Sequence, residues 1–151
     1  MLYPLSYGGN ASDPKSSTLL RYHPAMPSDA VEKRILVADD DPVILRLIQV
    51  NLELEGYQVL TANNGEEAVA TATAEHPDLV ILDIMMPRLD GYQACEQLKA
   101  EAATKDIPVV FLSAKAQQSD IEKGKTYGVD EYLTKPFDPT ELLDVVERLV
   151  S

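Results

Sequence analysis

Residues 34–42 read Arg-Ile-Leu-Val-Ala-Asp-Asp-Asp-Pro. Ile35 to Ala38 is an unbroken apolar run, the pattern of a strand covered on both faces, and Asp41-Pro42 supplies an N-cap carboxylate followed by proline at the first helical position. A buried strand therefore feeds a helix. That helix is expected to run to about Glu55, with Arg46, Gln49 and Glu53 on one face and Leu45, Leu47, Ile48, Leu52 and Leu54 on the others, and Gly56 is placed to stop it.

Working outward, the same unit recurs. Tyr57 to Thr61 reads as a second strand, and Asn64-Gly65 opens an Ala-rich helix to about His76. Leu79 to Leu82 is a third strand, Tyr92 to about Ala102 a helix, Ile107 to Leu112 a fourth strand, and Ser119 to Tyr127 a helix with Gly124 inside it. A short strand near Glu131 to Leu133 and a last helix from Pro139 to Val150 complete five strand-helix units. Apolar runs without alternation, separated by helices, imply a parallel sheet with right-handed crossovers. The expected fold class is α/β, a doubly wound three-layer sandwich around five strands. Periodicity leaves the strand order open.

The first 33 residues differ in character, with four of the ten prolines, a Gly-Gly pair and no sustained apolar period. They are expected to form a disordered or partner-binding arm (1–33) ahead of a domain at 34–151. Met26 is an alternative start. Of 151 residues 45% are hydrophobic, enough for one core. The chain has 13 basic and 25 acidic residues. Residues 1–34 hold four basic and three acidic, so the excess acid lies in the domain. That charge argues against direct binding to nucleic acid or to an anionic membrane. A single cysteine, Cys95, excludes an internal disulfide framework and a cysteine-based zinc site. With no long apolar run and no secretory leader pattern, a cytoplasmic location is expected.

In open parallel sheets, ligands bind beyond the carboxyl ends of the strands. The first strand ends in Asp39 and Asp40, the third in Asp83 and the fourth in Ser113, while the fifth is followed by Lys135-Pro136. Singly, each has an ordinary structural explanation as a helix cap or a solvated side chain; together they make a convergent polar rim. Three carboxylates held close repel one another unless they share a cation, and an all-oxygen set suits Mg²⁺ (or Mn²⁺) rather than zinc. A carboxylate is a competent phosphoryl acceptor, with metal, ammonium and hydroxyl neutralising the equatorial oxygens. Asp83 is the expected nucleophile, Lys135 the second cation and Ser113 the hydrogen-bond donor.

Four segments, 35–42, 78–91, 111–115 and 132–137, then carry a resemblance in order and spacing: Ile-Leu-Val-Ala-Asp39-Asp40-Asp41-Pro42, Asp78 to Gly91, Phe111-Leu-Ser113-Ala114-Lys115 and Tyr132-Leu-Thr-Lys135-Pro136-Phe137. The chain resembles the receiver domain of two-component response regulators. The resemblance implies a flavodoxin-like strand order of 2-1-3-4-5 and phosphorylation of Asp83 by a sensor histidine kinase or phosphotransfer protein. It further implies Asp39 and Asp40 as the acidic pair organising the metal, Asp40 the more direct ligand, with the Met85 backbone carbonyl contributing. Lys135 would contact the phosphoryl group, with Lys135-Pro136 cis. Ser113 and Tyr132 would form the switch pair, passing the change to a face made of the fourth helix, the fifth strand and the last helix. An unknown downstream protein, or a second copy as a homodimer, is expected there.

The leading expectation is thus a phosphoacceptor signalling module that is not an enzyme beyond promoting its own phosphorylation and dephosphorylation. The end at Ser151 suits a stand-alone receiver; the alternative is an N-terminal receiver fragment of a longer regulator such as a transcription factor. An aspartyl-phosphate phosphatase fits less well, because the position two residues after Asp83 is Met85 rather than a second acid, and no P-loop motif is present. A receiver-like interaction domain that is never phosphorylated is the remaining reading.

Overall fold

The computed structural model describes residues 32–115 and 117–151. The expected arm lies outside the described residues apart from its last two. In chain order the elements are β1 (Arg34–Ala38), α1 (Pro42–Leu54), β2 (Gln58–Ala62), α2 (Gly65–Glu75), β3 (Leu79–Asp83), α3 (Gly91–Ala100), β4 (Val109–Ser113), α4 (Gln118–Thr126), β5 (Glu131–Thr134) and α5 (Pro139–Val150). The five strands are parallel, in the order β2-β1-β3-β4-β5. This is the order the resemblance implied. No helix among the described residues is long and apolar enough to cross a membrane.

Strand side chains alternate between two cores. Leu36, Val80, Leu82 and Phe111 pack with Ala68, Ala72, Ala94 and Leu98 of α2 and α3, while Ile35, Val37, Ile81 and Leu112 pack with Ile48, Leu52, Leu142 and Val146 of α1 and α5. Both faces of the central strands β1, β3 and β4 are therefore dry, which is why those strands show no polar alternation. Alanines on α2 let that helix lie close to the sheet. On α1 only Leu45, Ile48 and Leu52 are buried, whereas Val43, Leu47 and Leu54 face outward.

Caps set the helix starts. Asp41 accepts from Val43 N at 2.9 Å, Asn64 from Glu67 N at 2.8 Å, Asp90 from Gln93 N at 2.8 Å and Asp138 from Thr140 N at 2.8 Å. Each satisfies an amide that the first helical turn leaves without a partner. Two elements are shorter than their periodicity predicts. β4 begins at Val109 because Pro108 has no N–H to give the ladder, although its carbonyl still accepts from Val80 N. α3 stops at Ala100, where Glu101 turns extended and the Thr104 hydroxyl takes the Leu98 carbonyl at 2.7 Å.

Cys95 is fully buried on α3, and burial pushes its thiol up to about 11. At neutral pH the nucleophilic thiolate is then scarcer than for a free cysteine by a factor of about 10². Native protein is expected to resist iodoacetamide for hours, with alkylation becoming fast once denaturant is added. Rapid native alkylation, read by mass spectrometry, would contradict this burial.

Candidate functional site

Register brings the polar rim together. Ala38 pairs with Leu82, Asp83 with Leu112 and Ser113 with Thr134, so the residues ending β1, β3, β4 and β5 stand at one edge of the sheet. Asp39 and Asp83 are 1% and 5% exposed, and Ser113 is fully buried. Asp40 faces solvent. One carboxylate oxygen from each of Asp39, Asp40 and Asp83 lies within 4.8 Å of the others.

Lys135 Nζ reaches into this cluster, donating to Asp39 Oδ2 at 2.8 Å and to Asp83 Oδ2 at 3.2 Å. Its peptide bond to Pro136 is cis, and its own N–H donates to the Ser113 carbonyl at 2.9 Å, which ties the end of β5 to the end of β4. Two buried carboxylates thus share one ammonium. Burial and the charge on Asp39 hold the Asp83 carboxyl above its ordinary range despite Lys135. Burial works against the Lys135 ammonium, but Asp39 and Asp83 outweigh it and raise the lysine. The remaining negative charge is what a hard divalent cation compensates, and the donor set is oxygen throughout.

The rest of the rim is built by backbone. Asp39 Oδ1 accepts from Asp41 N at 2.9 Å, and Asp83 Oδ1 accepts from Met85 N at 3.2 Å, which orients both carboxylates. Gly91, the first residue of α3, lies so close to β3 that a Cβ there would meet the Asp83 carbonyl oxygen at 2.6 Å. Glycine is needed for that approach. An open cleft above the carboxylates is lined by Asp40, Met85, Pro87, Tyr92, Lys115 and Lys123. Met85 is 61% exposed on its wall.

Ser113 Oγ accepts from Lys115 N at 3.1 Å. The half-buried Tyr132 ring spans the gap from β5 to the loop after β4, its hydroxyl donating to the Lys115 carbonyl at 2.6 Å. Burial raises the Tyr132 phenol, while the neighbouring Ser113 hydroxyl pulls it the other way. All of the residues expected at the rim, Asp39, Asp40, Asp83, Ser113 and Lys135, are brought together, with Tyr132 adjoining through Ser113. Sequence reasoning missed Lys115, whose carbonyl anchors the ring, and the Lys123 ammonium, which lies 4.3 Å over the Tyr92 ring. Lys115 closes the segment 111–115 but was given no role there, and Lys123 lies within a helix where no motif marks it.

The family model described as the response regulator receiver domain matches residues 35–147. The chain belongs to this family. Among similar curated proteins, the alkaline phosphatase synthesis transcriptional regulatory protein PhoP of Bacillus subtilis is 46% identical over 112 residues, covering 74% of this chain and 46% of its own length. Protein PilH of Pseudomonas aeruginosa is 43% identical over 118 residues, covering 78% of this chain and 98% of its own length. Several relatives, PhoP among them, are about twice as long as the part this receiver matches. A solved receiver domain of a sensor histidine kinase from P. aeruginosa PAO1, with magnesium coordinated in its active-site cleft, superposes with a TM-score of 0.74 at 32% identity, over 80% of this chain and 98% of that one. The chain is a receiver domain of two-component signalling.

Proposed function

We propose that this receiver takes a phosphoryl group on Asp83 from a phosphohistidine of a sensor kinase or phosphotransfer protein. The single observation that carries the reading is the position of Lys135 Nζ, within 3.2 Å of Asp83 and 2.8 Å of Asp39. An Asp83 oxygen attacks phosphorus as the phosphorus–nitrogen bond breaks; the imidazole keeps the bonding pair and takes a proton from water, and the product is an acyl phosphate. Asp39 and Asp40 would hold Mg²⁺ (or Mn²⁺), with Asp83 and the Met85 carbonyl completing the set, and when bound the cation neutralises charge on the phosphoryl oxygens. Lys135 neutralises a further oxygen, and Ser113 donates to another once its hydroxyl turns from Tyr132.

Phosphorylation adds charge and acceptor oxygens at the strand ends, and Ser113 and Tyr132 carry that change toward the face of α4, β5 and α5. A downstream protein or a second copy of the chain would read that face. PilH, matched over almost its whole length, favours a receiver acting alone; PhoP, matched over half, favours one part of a longer transcriptional regulator.

The test is incubation with Mg²⁺ and acetyl phosphate. One acid-stable, hydroxylamine-sensitive phosphate is expected on the parent chain by mass spectrometry and none on Asp83→Asn. Label persisting in Asp83→Asn would sink the assignment.

A further inference from the structure

Among the residues of α4, only Gly124 is buried, so the helix meets the sheet through a residue with no side chain. A Cβ built there would lie 3.0 Å from Tyr132 Cδ2, 3.3 Å from Tyr132 Cε2 and 3.2 Å from Phe111 Cδ2. All three are tighter than ordinary van der Waals contact. Gly124 is not among the glycines of positive φ, so its backbone would tolerate alanine, and what opposes a methyl there is crowding that the Tyr132 and Phe111 rings would have to relieve by a few tenths of an ångström. A glycine within a helix is otherwise a loss, because alanine orders at lower entropic cost. The Tyr132 ring that fills the space stands edge-on to Phe111, with centroids 6.2 Å apart and planes at 90°. Its hydroxyl is held by the Lys115 carbonyl.

We propose that Gly124 is the positioning residue of the Ser113–Tyr132 switch. The slot between Gly124 and Phe111 holds the Tyr132 ring against the loop after β4, and α4 packs on the sheet through that ring and Phe111. Any side chain at Gly124 drives the ring out or lifts the helix. Either way Lys115 loses the tyrosine hydroxyl, and the loop that starts at Ser113 is uncoupled from α4. The neighbouring Lys123, over Tyr92 on the cleft wall, carries the same helix movement back to the mouth of the site. The slot stands on packing alone; its role in signalling rests on Asp83 being the phosphoacceptor.

The test uses the full chain carrying 3-fluorotyrosine, with the Tyr132 fluorine resonance assigned by its loss in Tyr132→Phe. In Gly124→Ala that resonance is expected to move to the position of a solvent-exposed tyrosine, the seated population falling by about tenfold or more, as overpacking by one methyl implies. Amide exchange in α4 then no longer responds to Mg²⁺ with beryllofluoride, while acetyl phosphate still labels Asp83. In a Tyr132→Ala background the same Gly124→Ala change is expected to shift the thermal midpoint upward relative to its effect with Tyr132 in place, because two of the three close contacts are gone and only Phe111 still opposes the gain in helix propensity. A Gly124→Ala chain with the parent's fluorine spectrum and exchange response, and a raised midpoint with Tyr132 in place, overturns the proposal. An unlabelled parent chain overturns the functional reading instead, and the fluorine shift of Gly124→Ala without any phosphoryl mimic then decides the slot on its own.

Discussion

Lys135→Ala is expected to slow phosphorylation of Asp83 by about 10² to 10³-fold, the loss usual when one preorganised charge-stabilising donor is removed from a transition state. The ammonium is 3.2 Å from Asp83 before any phosphate arrives, so it needs no rearrangement to meet the oxygens that gain charge. Lys135→Arg is expected to recover little. The side chain is 17% exposed and threads between two carboxylates, where a compact ammonium fits and a planar fork does not. The rate is read by mass spectrometry at saturating Mg²⁺. A Mg²⁺-dependent rise in the thermal midpoint of the variant shows that its carboxylates are still assembled. A rate within a few-fold of the parent would remove Lys135 from the chemistry.

Asp83→Asn is expected to act on stability as well as on labelling. In metal-free buffer it should stabilise the domain, because it removes a buried charge repelled by Asp39 while Lys135 keeps Asp39 as its partner. Burial and Asp39 raise the carboxyl of Asp83, so its charged form is disfavoured in the folded chain. Between 3.8, its value without these neighbours, and its raised value in the fold, the native state holds more protons than the unfolded one. Metal-free stability contributed by Asp83 therefore falls as pH rises through that window and stays low above it. Asp83→Asn removes this slope, and Mg²⁺ offsets it in the parent. Thermal melts across pH, with EDTA and with Mg²⁺, read all three. A destabilised Asp83→Asn in EDTA would mean that the pair with Lys135 outweighs the repulsion.

The strands, their parallel pairing and the convergent rim were legible because a sheet buried on both faces has nowhere to hide a polar residue until its strands end. Asp39, Asp83 and Ser113 are conspicuous for that reason. Strand order came from the resemblance, since a hydrophobic run does not say which neighbour it pairs with. The apolar pattern of α1 did not say which leucines are buried: Leu47 and Leu54 belong to it yet face outward, because the helix has only one side against the sheet. Gly124 was readable as an anomaly inside a helix, but the ring it accommodates comes from a separate element. Contacts of that kind follow from tertiary packing and leave no periodic trace.

The ammonium of Lys135 and the carboxylate of Asp39 are 96 residues apart in sequence, and Asp83 is 52 residues from the same lysine. The lysine follows β5, an edge strand and the last to be synthesised. A chain still emerging from the ribosome, or one whose edge has frayed, has Asp39 and Asp83 but not the ammonium that lies between them. On the proposed function, competence to carry a signal thus doubles as a certificate of finished folding.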